Sequence, residues 1–429
     1  MTTLQLTGGR VLSPNLTVSR ADVLVDHEEG EILAVGETER GDERLSADGC
    51  LVIPGLVNAH GHAAMTLLRG YADDKPLGTW LQEDIWPAEG ELTAEDVRAG
   101  TELGIVEMIK SGTTAFADMY FEMREVAATV ESSGMRARIG HGIVTVGKDD
   151  EGARADVEES VEFAREFDGA ASGRIKTAVM PHSLTTVSEE LLSRAVTGAR
   201  EVGVPIHIHA NETRDEVEPI VEERGIRPLE YADELNLLSE EKFLAHGVHV
   251  DDREIELLAG TGTSVVHCPA SNMKLASGMA PVQAMTEAGV TVGIGTDGAA
   301  SNNDLDLFGE IRDAAMIGKL AADSAAAVPA EQVVKMATAG SAEAIGIDSG
   351  TIEEGANADL AVVDFEKPHL TPAHDPVSHL AYAVRGPDVR HTICDGRVLM
   401  RDREVLTLDE KQVREKAERQ AMELVERAD

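Results

Sequence analysis

Leu51-Val52-Ile53-Pro54-Gly55-Leu56-Val57-Asn58-Ala59-His60-Gly61-His62 is an apolar, β-rich run that ends in two imidazoles. A doubly wound open sheet would place a glycine-rich phosphate loop after its first strand. None follows here. Working outward, further β-rich runs occur at Thr113–Ala117, Ala137–Val144, Ile175–Met180, Pro205–Ile208, Phe243–Ala245, Ser264–Val266 and Val290–Ile294. Helical segments such as Ala94–Lys110, Glu189–Glu201 and Val282–Ala288 separate most of them. Strands alternating with helices over about 300 residues predict an α/β chain, a (β/α)8 TIM barrel, with the open sheet as the alternative.

The two ends of the chain differ from this middle. Leu4–Leu12, Val23–Val25 and Glu31–Val35 are strand-like and broken by Gly8-Gly9 and Gly30. The same texture returns at Ala358–Asp364 and Thr392–Leu399. The expected organisation is a small β-sandwich domain built from both ends, 1–54 plus 355–408. The barrel would span 55–354, and 409–429 would form a C-terminal surface helix.

Polar residues recur at the strand ends: His60 and His62, Asp118, His141, His182, His207 and His209, His246, His267 and Asp297. A barrel gathers all its C-terminal strand ends around one mouth, where active sites sit. In an extended strand, residues i and i+2 share a face, so His60 and His62 point together, with Gly61 permitting close approach. His207-Ile208-His209 repeats the pattern, and Asp297 stands among small residues in Gly295-Thr296-Asp297-Gly298. Each motif alone has a bland reading as loop or core histidines. On a barrel they converge, and the combination predicts a metal centre. Glu212, three residues past His209 on a loop, fits a proton shuttle better than a ligand; its bland reading is a solvated acid.

The chain resembles the amidohydrolase superfamily, and within it the 5′-methylthioadenosine/S-adenosylhomocysteine deaminase branch. The likeness covers almost the whole length. It rests on Pro54–His62, on His209-Ala210-Asn211-Glu212-Thr213, on His267-Cys268-Pro269-Ala270-Ser271-Asn272-Met273-Lys274-Leu275 and on Gly295–Asn303. The resemblance implies one divalent ion, Zn2+ or Fe2+, held by His60, His62, His209 and Asp297. One ion rather than two is expected because the bridging lysine of binuclear relatives is replaced in Met180-Pro181-His182. The resemblance further implies Glu212 as proton shuttle and His246 as the group that orients water; the chemistry of deamination makes Asp297 the expected acceptor of that water's proton. Glu89 would bind ribose hydroxyls, His182 and Glu212 the purine, and Arg154 a carboxylate. His141 stands where some members carry a second arginine, which favours methylthioadenosine over S-adenosylhomocysteine. The alternatives are another aminohydrolase (5′-deoxyadenosine, guanine or triazine), an amidase, or a non-catalytic scaffold of the same fold. The likeness also implies a homo-oligomer.

The chain has 429 residues, 42% hydrophobic, which is enough for one large domain and a smaller one. It contains no apolar run of membrane-spanning length, and its first residues lack a signal-peptide pattern. Cys50, Cys268 and Cys394 are scattered thiols that suit a reducing cytoplasm. With 78 acidic and 38 basic residues the formal charge is −40, which disfavours a nucleic-acid partner. The acids are spread along the chain, so a salt-rich cytoplasm explains them better than an acidic docking surface. Activity and melting temperature should therefore both rise between dilute buffer and molar KCl, where the Debye length shrinks to about 3 Å. A melting temperature that stays flat over a KCl titration would contradict this.

Overall fold

The run Leu51–Asn58 divides at Gly55. The computed structural model describes residues 2–428. In it Cys50–Pro54 belongs to an outer sheet, while Leu56–Asn58 (β1) starts the barrel. A Cβ on Gly55 would lie 2.1 Å from Thr114 Oγ1, so the crossing is open only to glycine.

The barrel continues through β2 (Thr113–Tyr120), β3 (Arg136–Ile143), β4 (Ile175–Thr177), β5 (His207–Ala210), β6 (Phe243–His246), β7 (Ser264–His267) and β8 (Val292–Ile294). Strands β1 to β4 pair in parallel, and so do β5 to β8. Two seams complete the ring. Parallel bridges Val179–Ile206 and Ser183–His209 join the end of β4 to β5. At the other seam the Ala59 N–H donates to the Ile294 carbonyl at 2.9 Å, and the Asp297 N–H donates to the His60 carbonyl at 3.1 Å. Beyond them Asp297–Gly298 pairs with Gly61–His62. Val57, Ala59, Ala115, Ala117, Phe243 and Val266 fill the interior as a buried cluster.

Two predicted strands differ in extent. Ile175–Met180 breaks after Thr177 and resumes as Met180–Pro181. The fifth begins at His207, not Pro205, and runs on to Ala210, so His209 lies inside it.

Both chain ends meet in two further sheets. One has four strands, in the order Ile32–Gly36, Asp22–Asp26, Thr3–Thr7, Glu43–Ser46. The other has seven, with Cys50–Pro54 antiparallel to Leu360–Asp364 at its centre. Leu4, Val25 and Leu45 from the first share a buried core with Val52, Leu360 and Ile393 from the second. This is sheet-on-sheet packing.

The helix Glu410–Ala428 is held by more than its charged surface. It buries Val413, Ala417 and Leu424 and packs beside the helix Ala94–Lys110. Lys110 pairs with Glu410 at 2.8 Å. Arg427 reaches Asp96, the residue that completes a capping box with Thr93 at the start of that neighbouring helix.

Arg136, the first residue of β3, ties the barrel to the outer sheets. It lies 2.8 Å from Asp359 and 2.7 Å from Asp395, and both it and Asp359 are buried. Removing Asp359 leaves the buried Arg136 charge with the partly exposed Asp395 alone, a loss of up to about 3–5 kcal/mol. Chemical denaturation of Asp359→Ala in molar KCl should read a loss of that size. A change under about 0.5 kcal/mol, the range of ordinary surface substitutions, would show that the pair contributes little.

Candidate active site

At the closing seam, His60 and His62 follow β1 and Asp297 follows β8. Asp297 Oδ1 faces both imidazoles, 3.5 Å from His60 Nε2 and 3.2 Å from His62 Nε2. Close approach at this seam is granted by Gly295 and not by Gly61. A Cβ on Gly295 would lie 2.8 Å from the His60 backbone, whereas one on Gly61 would meet nothing nearer than 3.5 Å.

Hydrogen bonds set which nitrogen of each ring carries its proton. His62 Nδ1 donates to the Met119 carbonyl at 2.6 Å, and His209 Nδ1 to the His182 carbonyl at 2.7 Å. His207 Nδ1 donates to the Phe243 carbonyl at 3.1 Å, which leaves its Nε2 to accept from His60 Nδ1 at 2.8 Å. His60 and His209 therefore keep a lone pair on Nε2, and that of His207 is occupied by His60; burial opposes a charge on His62, but Asp297 outweighs it and pushes that ring up to about 9. His60 Nε2 is buried without any hydrogen-bond partner, and burial holds the ring down to a pKa of about 4. A neutral imidazole with an unpartnered, inward lone pair is a metal ligand in waiting. Ligand atoms of His60, His62 and Asp297 lie within 4.8 Å of one another, as do those of His60, His209 and His246. The two groups share His60, and three imidazoles with a carboxylate suit Zn2+ or Fe2+.

Asp297 is oriented by its other oxygen. Oδ2 accepts from Ser271 at 2.7 Å and Ser301 at 2.6 Å, turning Oδ1 toward the histidines. Burial opposes its charge, but His60 and His62 outweigh that and hold the carboxyl well below the usual range. Asp297 and His246 sit at φ 60° and 76°. Such left-handed backbone is uncommon without glycine and gathers at functional sites.

His246 Nδ1 donates to Asn272 Oδ1 at 3.0 Å, and its Nε2 stands 3.7 Å from Glu212 Oε2. Glu212 is buried, not a solvated loop acid, and burial raises its pKa. Its Oε1 accepts from Ser277 at 3.2 Å.

His62, His209, Glu212, His246 and Asp297 open onto one cavity of about 1230 Å³ at the barrel mouth, whose wall also includes Glu89 and His182. Burial lifts the Glu89 carboxyl to about 7, partly offset by Tyr120 beside it. His182 Nδ1 is bonded to Thr186 at 3.0 Å, and its ring centroid is 4.7 Å from that of His209.

Arg154 does not match its expected place. The helix Asp150–Phe167 turns Ala153, Asp156, Val157 and Ser160 inward. That phase leaves Arg154 exposed, 3.7 Å from Glu190 and away from the cavity wall. His141 is likewise off the wall, with Nε2 3.4 Å from Asp156. Asp118 caps the turn after His62 by accepting the Ala63 N–H at 2.7 Å. Tyr120, Ser271 and Ser301 escape the sequence reading as functional residues, and His207, read there as part of a second His-x-His pattern, serves His60 from behind. The two serines sit inside quoted motifs, which is the signal that pointed to them.

A model of the amidohydrolase family matches residues 51–399. The 5-methylthioadenosine/S-adenosylhomocysteine deaminase of Natronomonas pharaonis is 68% identical over all of both chains. The 5′-deoxyadenosine deaminase of Methanosarcina mazei is 48% identical over 93% of each. A crystal structure of an adenosine deaminase from Xanthomonas campestris with bound zinc superposes at a TM-score of 0.94, with 36% identity and 99% coverage of both chains. A triazine hydrolase superposes at 0.89 with 23% identity, a likeness of fold. By these matches and by the geometry of its barrel mouth, the chain belongs to the metal-dependent amidohydrolase family.

Proposed function

We propose that the protein is a hydrolytic deaminase of adenine nucleosides modified at the 5′ position, 5′-methylthioadenosine and S-adenosylhomocysteine, giving the inosyl product and ammonia. The observation that carries this reading is the cavity wall, where Glu212 and His246 stand beside the His60–His62–Asp297 cluster with Glu89 and His182 in the same cavity. It is supported by relatives of that name at 67% to 69% identity over nearly the whole chain. The fitting work environment is a salt-rich cytoplasm, supported by the charge of −40. No described helix is long and apolar enough to cross a membrane. As domain boundaries we propose 1–54 with 355–408, 55–354, and 409–429, supported by the separate core between the two outer sheets.

One divalent ion, zinc first, would be held by His60, His62, His209 and Asp297. Bound there it would supply Lewis acidity, which lowers the pKa of water from its bulk value to about 7. The protein's own residues do the rest. Deamination adds the oxygen of water to C6 of the purine and expels the amino group as ammonia. Asp297 takes the proton of the attacking water, Oδ2 staying with Ser271 and Ser301. His246, its Nδ1 proton committed to Asn272, turns Nε2 toward that water. Glu212, made a better acid by burial, gives a proton to the ring nitrogen, so that negative charge does not accumulate on the purine; the proton taken by Asp297 passes to the amino group, which leaves as ammonia, and the C6 hydroxyl proton returns to Glu212 as the carbonyl forms. Glu89 holds the ribose hydroxyls and His182 the base.

Elemental analysis of purified protein should find about one divalent ion per chain, and His60→Ala should lose both ion and activity. Two tightly held ions per chain would overturn the single-metal assignment. Glu212→Gln should keep fold and metal while kcat falls about 10²–10⁴-fold, since a carboxamide cannot shuttle a proton. Ammonia release from methylthioadenosine at the parental rate would remove Glu212 from the mechanism.

A further inference from the structure

With Arg154 turned outward, the cavity wall carries three basic side chains, Lys75, Arg214 and Lys274. Two are already satisfied. Lys75 lies 2.6 Å from Asp84 and 3.7 Å from Glu83. Lys274 lies 2.6 Å from Asp73 and also donates to the Ala300 carbonyl at 2.9 Å. Lys148, near His141, is paired with Asp156 at 2.6 Å and lies off the wall. Arg214 differs. Among the described residues it makes no ion pair or hydrogen bond, although acids outnumber bases 78 to 38 in this chain.

Its position also runs against local electrostatics. Arg214 is the first residue of the helix Arg214–Arg224, with Thr213 as cap and Asp215 and Glu216 in the first turn. The exposed amides there favour anions and disfavour a cation. The helix gains nothing from a guanidinium at that point. An unpaired guanidinium on a cavity wall is, however, a ready bidentate partner for a ligand carboxylate. Asp215, the next residue, lines the same cavity.

We propose that Arg214 determines acceptance of nucleosides whose 5′ tail ends in a carboxylate, with Asp215 meeting the tail ammonium. This rests on the nucleoside-deaminase reading above. Arg214 lies two residues beyond Glu212, the residue set at the base, and stands exposed at the mouth. A tail running outward from the ribose therefore passes it. The methylthio tail has no charge for it to hold, whereas the homocysteine tail has two. Arg214 accordingly sets the ratio of the two specificities without touching the reacting atoms.

The test is steady-state kcat/KM for S-adenosylhomocysteine and for 5′-methylthioadenosine in one molar-KCl buffer, with wild type, Arg214→Ala and Arg214→Lys. In Arg214→Ala the ratio of the first to the second should fall about 10–100-fold, mainly through KM, as expected for loss of one charge-assisted contact. Arg214→Lys should recover part of it. A ratio unmoved in Arg214→Ala, with both nucleosides still deaminated, would overturn this assignment and leave the deaminase reading intact. Failure of wild type to deaminate either nucleoside would overturn both.

Discussion

The seam between β8 and β1 is the constraint on which the candidate site depends. Along it the Ala59 and Asp297 amides reach the Ile294 and His60 carbonyls. Residues 237 apart in sequence, Asp297 and His60, become neighbours through two backbone hydrogen bonds and one missing side chain at Gly295. Were the sheet open at this point, the carboxylate and the first two imidazoles would belong to opposite edges. Ring closure thus converts an element of fold stability into the geometry of a ligand set, and the left-handed backbone at Asp297 is tolerated because the pairing with Gly61 holds it.

A second layer of interactions decides the chemistry of those ligands. Three backbone carbonyls, from Met119, His182 and Phe243, each capture an Nδ1 proton, directly at His62 and His209 and through His207 at His60. The consequence is that His60, His62 and His209 all turn Nε2 toward one region. Met119 and Phe243 are residues that sequence alone would not single out, and His182 draws notice for its ring, not for its carbonyl. These carbonyls are simply the strand ends that a closed barrel puts behind its mouth.

This bears on what the sequence made legible. His60, His62, His209, His246, Glu212 and Asp297 were visible because each is a chemically costly residue at the end of a β-rich run, and a barrel brings such ends together. The two His-x-His motifs looked equivalent but are not. His60 and His62 both face Asp297, whereas His207 lies a layer deeper and serves His60. Depth along a strand leaves no trace in period-two patterning. Arg154 lies off the cavity wall for a different reason, the phase of its helix. Ala153, Asp156, Val157 and Ser160 form the inward stripe, and Arg154 falls outside it. The split at Gly55 and the break after Thr177 were hidden because a single apolar run served two sheets in one case and skipped a pairing in the other.

The outer sheets have an implication for biogenesis. Cys50–Pro54 finds its antiparallel partner in Leu360–Asp364, about 300 residues later in the chain. At a synthesis rate of about 5–20 residues per second, that partner emerges roughly 15–60 seconds afterwards. Throughout this interval the nascent chain carries an unpaired strand edge beside a barrel that is itself incomplete until β8 appears. An unpaired edge is a template for aggregation. Here the waiting strands are flanked by Glu28, Glu29, Glu31, Glu37, Glu39 and Asp42. Like-charge repulsion between ribosome-bound copies then protects the half-made protein as well as solubilising the finished one.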